Sequence, residues 1–185
     1  MPATDHAADD RMADLQRAEQ LVFERYGIAP QVRTLQLAEP RLRVRVLECG
    51  DGPPVLLIPG DGAVAAAWAP LVAELPGYRT IVLDRPCFGC GERFDYRGCE
   101  LRPHGVAMLR SLLDALELDA APIIGSSGGA QWSLWLAIDA PERVSALVPM
   151  GRPPCACPAS GRAGSCGCSP RRASARCSRV CRPAA

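Results

Sequence analysis

The sequence predicts an α/β fold, a mostly parallel sheet flanked by helices with an antiparallel edge at its start. Three observations predict it. Four short runs, PPVLLIPG (53–60), TIVLD (80–84), APII (121–124) and SALVPM (145–150), are apolar almost throughout, as strands covered on both faces must be. Helix-like segments lie between them at 65–75, 105–118 and 129–140, which is the alternation of right-handed βαβ units. Residues 41–50, RLRVRVLECG, instead alternate strictly, with Leu42, Val44 and Val46 on one face and Arg41, Arg43 and Arg45 on the other. That pattern is a half-exposed strand, and VRTLQLA (32–38) is its expected hairpin partner.

Each remaining element has its own signal. Residues 9–26 carry Met12, Leu15, Leu21, Val22 and Tyr26 at helical spacing, with Asp9 or Asp10 as cap and Gly27 as terminator. The chain has 185 residues, of which 48% are hydrophobic, enough for one ordinary domain. Its net charge of +1 does not call for nucleic acid or an anionic membrane. No apolar run approaches the roughly 20 residues that span a bilayer. The acidic, polar start MPATDHAADDRMAD lacks the features of a secretory signal, so the expected location is the cytoplasm. Ten cysteines are unevenly placed: Cys49, Cys87, Cys90 and Cys99 precede residue 155, and six lie in the last 31 residues. Without a secretory signal they are not expected to form a disulfide framework.

The chemistry concentrates at Gly125-Ser126-Ser127-Gly128-Gly129. This pentapeptide fits G-x-S-x-G, follows an apolar strand and opens a helix. The residues two before and two after the central serine must be small where a sharp strand-to-helix turn brings them together. The pentapeptide alone leaves three roles open: a flexible joint, an anion cradle or the seat of a nucleophile. Neither G-x-G-x-x-G nor G-x-x-x-x-G-K-[ST] is present.

Four linked segments narrow the choice. LLIPGDGAVAAAW, VLDRPCFGCG, LLDALELDAAPIIGSSGG and LAIDAPERVSALVPMG, in that order and spacing, resemble the α/β-hydrolase family over roughly residues 40–152. The resemblance implies that Ser127 is the nucleophile and that Gly128 supplies one oxyanion amide. It places the second amide at Asp61, with Gly62 as the alternative, and gives Gly125 and Gly129 the role of supporting the turn. It implies a serine hydrolase, by default an esterase acting on a small-molecule acyl substrate, with no cofactor, no metal, no nucleic acid and no membrane. A serine at this position sets the chain apart from the dehalogenase and epoxide-hydrolase branches, which use an aspartate. Two departures stand out: Pro59-Gly60 replaces the frequent His-Gly, and Cys87 stands where a glycine is frequent.

The family's order of catalytic groups is Ser, then Asp or Glu, then His, and no histidine follows Ser127. The two histidines are His6 and His104, and His104 is expected near the surface at the start of a helix. The later acids Asp139 and Glu142 read as solvated charge. The expected architecture is therefore an incomplete α/β-hydrolase fold in residues 1–152, without lid or last strands and inactive as written. The alternative is a non-catalytic, hydrolase-like binding protein or a non-functional fragment.

From Pro153 the pattern stops. Residues 153–185 have no acidic residue, no aromatic, and Val180 as the only aliphatic side chain larger than Ala apart from proline. Composition predicts disorder there. Pairs such as Cys155/Cys157 and Cys166/Cys168 are a weak metal signal, and the arginines lack the aromatic partners of a nucleic-acid module. The chain also lacks Lys and Asn, which points to a GC-rich gene. Cys codons begin with T, as do most Ser codons, and T in second place always encodes an apolar residue. Ser174, Cys177, Ser178 and Cys181 would therefore mark one apolar helix face in the neighbouring frame. The segment is expected to be frameshifted. Sequencing the gene across codons 150–190 should reveal an alternative frame that stays open past residue 185 and reaches a histidine; early stops in both other frames would exclude it.

Overall fold

The computed structural model describes residues 6–151. The expectations for residues 153–185 lie outside the described residues. Helix α1 spans His6–Arg25, and strands β1 (Gln31–Gln36) and β2 (Arg43–Cys49) follow. Strand β3 (Pro54–Ile58) leads through a 3-10 turn, Ala65–Trp68, into the short helix α2 (Ala69–Ala73). Then come β4 (Arg79–Asp84), α3 (Leu101–Ala115), β5 (Ala121–Ser126), α4 (Gly128–Asp139) and β6 (Val144–Met150).

The six strands form one sheet in the order β1-β2-β4-β3-β5-β6. The β1–β2 and β2–β4 pairs are antiparallel, and the β4–β3, β3–β5 and β5–β6 pairs are parallel. The antiparallel edge at the start and the parallel remainder match the alternation read from the sequence. Side chains leave each strand on alternate faces, so an apolar run feeds two cores. Leu56, Ile58, Ile81, Leu83 and Ile123 pack on one face with Leu109 and Leu112 of α3 and Trp132 and Leu136 of α4. Leu57, Val82 and Val55 pack on the other with Phe23 of α1 and Trp68 and Val72 of the α2 region.

Three expectations change in detail. Residues 65–75 do not form one helix: the first turn is 3-10, and α2 begins at Ala69 with a proline in its first turn, where the missing N–H costs nothing. Helix α3 starts at Leu101, four residues before the predicted 105. Strand β2 is not half-exposed. Arg43 is exposed, but Arg45 lies under α1, where its guanidinium bonds Glu19 of α1 and Asp84 Oδ2 (2.6 Å). Glu19 is itself buried.

This Glu19–Arg45–Asp84 network ties α1, β2 and β4 together. Burial opposes the Arg45 charge, yet the two carboxylates hold the guanidinium above its ordinary pKa. Asp84 is 1% exposed, and burial pushes its carboxyl up against the pull of Arg45. Its other oxygen accepts from the Ala65 amide at 3.2 Å, which fixes the loop that returns from β3. At the far edge, β6 has no strand beyond it among the described residues, and Val148 is 51% exposed.

Candidate active site

Strand β5 ends at Ser126, and α4 begins at Gly128. The residue between them, Ser127, is exposed and has φ 48° and ψ −115°, a conformation that costs a non-glycine residue about 1–3 kcal/mol. The chain is held on both sides of it. The Ser127 amide donates to Met150 O at 2.9 Å, and its carbonyl accepts from Gln131 at 3.1 Å. The turn thus places an exposed Ser127 at the carboxyl end of the parallel strands, immediately before α4.

The small residues around it are sterically required. A Cβ on Gly125 would lie 2.7 Å from Ala130 Cα, and one on Gly129 would strike the carbonyl oxygens of Ile58 and Pro59. The close approach expected from the pentapeptide is therefore present, and it includes the end of β3 as a third party. A Cβ on Gly60 would lie 3.0 Å from Ser127 Cβ, so the Pro59–Gly62 turn lies directly against the serine. The structure brings together Ser127, Gly128, Gly125, Gly129 and the turn that carries Asp61.

Asp61 places its side chain as well as its backbone in this site. A Cβ on Gly128 would meet Asp61 Oδ1 at 2.5 Å and Oδ2 at 2.6 Å, so the carboxylate rests on the residue that opens α4. Arg85 holds it there. Arg85 Nη1 donates to Asp61 Oδ1 at 2.8 Å and to Pro59 O at 3.2 Å, and its guanidinium lies 4.0 Å from the centre of the Trp132 ring. The Arg85 side chain is 4% exposed, against 56% for Asp61. The sequence reading assigns no role to Arg85 or Trp132. The available signal is a second charged residue placed directly after the apolar run Ile81-Val82-Leu83, in Asp84-Arg85-Pro86.

His104 is not near the surface. It is 8% exposed and packs within an aromatic group, with ring centres 4.6 Å from Phe94, 5.3 Å from Tyr96 and 5.7 Å from Trp132. Helix α3 comes close enough to α4 for this because Gly105 faces the Trp132 ring without a side chain. Burial, helped by the nearby Arg85 charge, pulls the His104 imidazole below its ordinary value, and burial pushes the Tyr96 phenol up to about 12. Asp139 makes a bidentate pair with Arg102 of α3, at 2.6 and 3.1 Å, so it joins two helices. Cys87 has φ 67°, the left-handed region that favours glycine. Its thiol is held by Phe94 N and O, both at 3.1 Å.

Two other features lie apart from the strand-to-helix elbow formed by Gly125–Gly129. Ligand atoms of Glu19, Asp84 and Cys90 come within 4.8 Å of one another, but Arg45 already occupies both carboxylates, so the set is an ion-pair network. A groove of about 450 Å³ between α1 and the β1 edge is lined by Gln16, Phe23 and Val32 among others, and none of its lining residues belongs to the elbow.

The chain matches the alpha/beta hydrolase fold family over residues 53–159. It is 38% identical over 116 residues to the 2-hydroxy-6-oxo-2,4-heptadienoate hydrolase of Pseudomonas putida, an alignment covering 56% of this chain and 39% of the relative. It is 32% identical over 118 residues to a 2-hydroxy-6-oxononadienedioate/2-hydroxy-6-oxononatrienedioate hydrolase of Klebsiella pneumoniae, covering 60% and 40%. Among solved structures, an epoxide hydrolase from Vigna radiata superimposes with a TM-score of 0.62 at 25% identity, over 67% of this chain and 38% of that one. Naproxen esterase from Bacillus subtilis gives 0.65 at 19% identity, over 80% and 50%, a likeness of fold. The chain thus spans about two fifths of the length of the curated relatives it matches.

Because the buried imidazole of His104 has a pKa below that of an unfolded histidine, the unfolded chain binds the extra proton first. This contribution to stability is complete above the unfolded value of about 6.5 and is lost as pH falls through the folded value. Urea titrations between pH 7.5 and 5 should show stability falling with pH, by at most about 1.4 kcal/mol per unit from this group. His104→Gln should flatten that slope, and an unchanged slope would show that His104 does not cause it.

Proposed function

Because the chain belongs to the alpha/beta hydrolase fold family, we propose that it is built as a serine hydrolase core with Ser127 as nucleophile. One observation carries this reading: the exposed serine sits at φ 48° on the turn between β5 and α4, a strained arrangement that makes sense as the presentation of a hydroxyl. In the proposed mechanism the Ser127 Oγ attacks a substrate carbonyl. The backbone amides of Gly128 and Asp61 receive the developing oxyanion, aided by the positive end of α4. Gly125 and Gly129 keep the turn tight. Collapse of the tetrahedral intermediate expels the leaving group and leaves an acyl group on Ser127, which water then removes.

A serine hydroxyl needs a base to take its proton. His104 is unsuited to that role, being locked in an aromatic group, and no histidine follows Ser127. Among the described residues no imidazole is placed to take the Ser127 proton, and the proposed core acts in the cytoplasm on small acyl substrates without a cofactor. Ester hydrolysis is the default chemistry. Hydrolysis of a carbon–carbon bond beside a ketone is a second reading, favoured by the 38% and 32% identity to hydrolases named for oxo-dienoates and oxo-dienedioates. Both chemistries use a nucleophilic centre and an oxyanion hole, so the elbow serves either.

An active-site fluorophosphonate followed by peptide mass spectrometry tests the nucleophile. Slow labelling confined to Ser127, and abolished in Ser127→Ala, is the expected result. Labelling spread over other hydroxyls, or none at Ser127 after prolonged exposure, would leave a hydrolase-like binding protein as the better description.

A further inference from the structure

The Asp61 side chain stands where an incoming anion would be drawn. The start of α4 favours negative charge, because its first amides have no partner within the helix. The Arg85 guanidinium beside it is 4% exposed, stacked on Trp132, and its Nε has no hydrogen-bond partner among the described residues. A buried cation next to a helix N-terminus is an anion site, and here the protein fills it with its own carboxylate. Asp61 Oδ1 accepts from Arg85 at 2.8 Å, and both carboxylate oxygens rest on Gly128.

Resting on the reading of Ser127 and Gly128 given above, we propose that Asp61 is a specificity-determining residue, an internal anion that neutralises Arg85 and turns away substrates bearing a carboxylate beside the scissile carbonyl. The site then takes acyl groups that are neutral where they meet the Pro59–Gly62 turn. A carboxylate-bearing substrate gains Arg85 only by displacing Asp61. Asp61 is the member of the pair open to solvent, 56% exposed against 4% for its partner. Removing the Asp61 charge exposes an uncompensated buried guanidinium, and a small external carboxylate becomes its natural counterion.

Acetate is the probe, and Trp132, in contact with Arg85, reports binding through its fluorescence. Asp61→Asn should bind acetate saturably and at least about tenfold more tightly than the unsubstituted protein at equal ionic strength. The double variant Asp61→Asn/Arg85→Gln should lose that gain. Asp61→Ser provides the same comparison if the asparagine variant does not fold. Folded Asp61 variants that bind acetate no better than the parent, or a gain that survives loss of Arg85, would overturn the proposal. Adding Ser127→Ala to the Asp61→Asn variant should leave acetate binding intact. A failure of the nucleophile reading would thus appear in the phosphonate experiment alone, and a failure of this proposal in the acetate titration alone.

Discussion

The close crossing of β3, β5 and the start of α4 is the constraint on which the rest depends. Gly129 lies against the carbonyls of Ile58 and Pro59, and Gly125 lies against Ala130. At those distances no side chain fits, so the chain can turn from strand to helix only through a residue in an unfavourable conformation. Ser127 is that residue. The two cores supply the force that holds it. Strands β3, β4 and β5 are buried on both faces, so they cannot shift to relieve the turn without opening apolar contacts on both sides. Burial of a single large aliphatic side chain is worth about 1.5–3 kcal/mol, and several stand behind each strand against a strain of about 1–3 kcal/mol.

Charge fixes what packing leaves free. Asp84 holds the returning loop through the Ala65 amide, and Arg45 and Glu19 bind Asp84 in turn to α1. One residue further on, Arg85 reaches the Pro59 carbonyl and the Asp61 carboxylate. Adjacent residues at the end of β4 therefore control the two ends of the Pro59–Ala65 segment. In the proposed mechanism that segment provides one of the two oxyanion amides. The buried Glu19–Arg45–Asp84 network adds little net stability, but loss of one partner there costs about 3–5 kcal/mol, so it acts as a position lock more than as a source of stability.

Strands β3, β4 and β5 were legible in the sequence because a strand covered on both faces is apolar almost throughout; β6 shows the same apolar run although it lies largely exposed at the sheet edge, and the glycines of the elbow were legible because close approach excludes every larger residue. What escaped the sequence depends on partners distant in the chain. Strict alternation in residues 41–50 implies a solvated arginine face, but α1 covers Arg45 and supplies Glu19. A histidine at a helix start reads as exposed, but Phe94, Tyr96 and Trp132 close over His104. The run 65–75 reads as one helix, but the pull of Asp84 on Ala65 and the proline at position 70 divide it. In each case local pattern was overruled by a tertiary contact that no window of sequence contains.

The fold holds Ser127 in a strained turn, the arrangement on which the proposed role of its hydroxyl depends. The free energy of unfolding of Ser127→Gly tests it most directly, because glycine adopts positive φ without a Cβ penalty. If the account holds, Ser127→Gly is more stable than the parent by about 1 kcal/mol, the gain offsetting the entropy that glycine adds to the unfolded chain. A Ser127→Gly variant less stable than the parent by the full entropic cost of a glycine, about 0.5–1 kcal/mol, would contradict it, because the turn would then carry no strain.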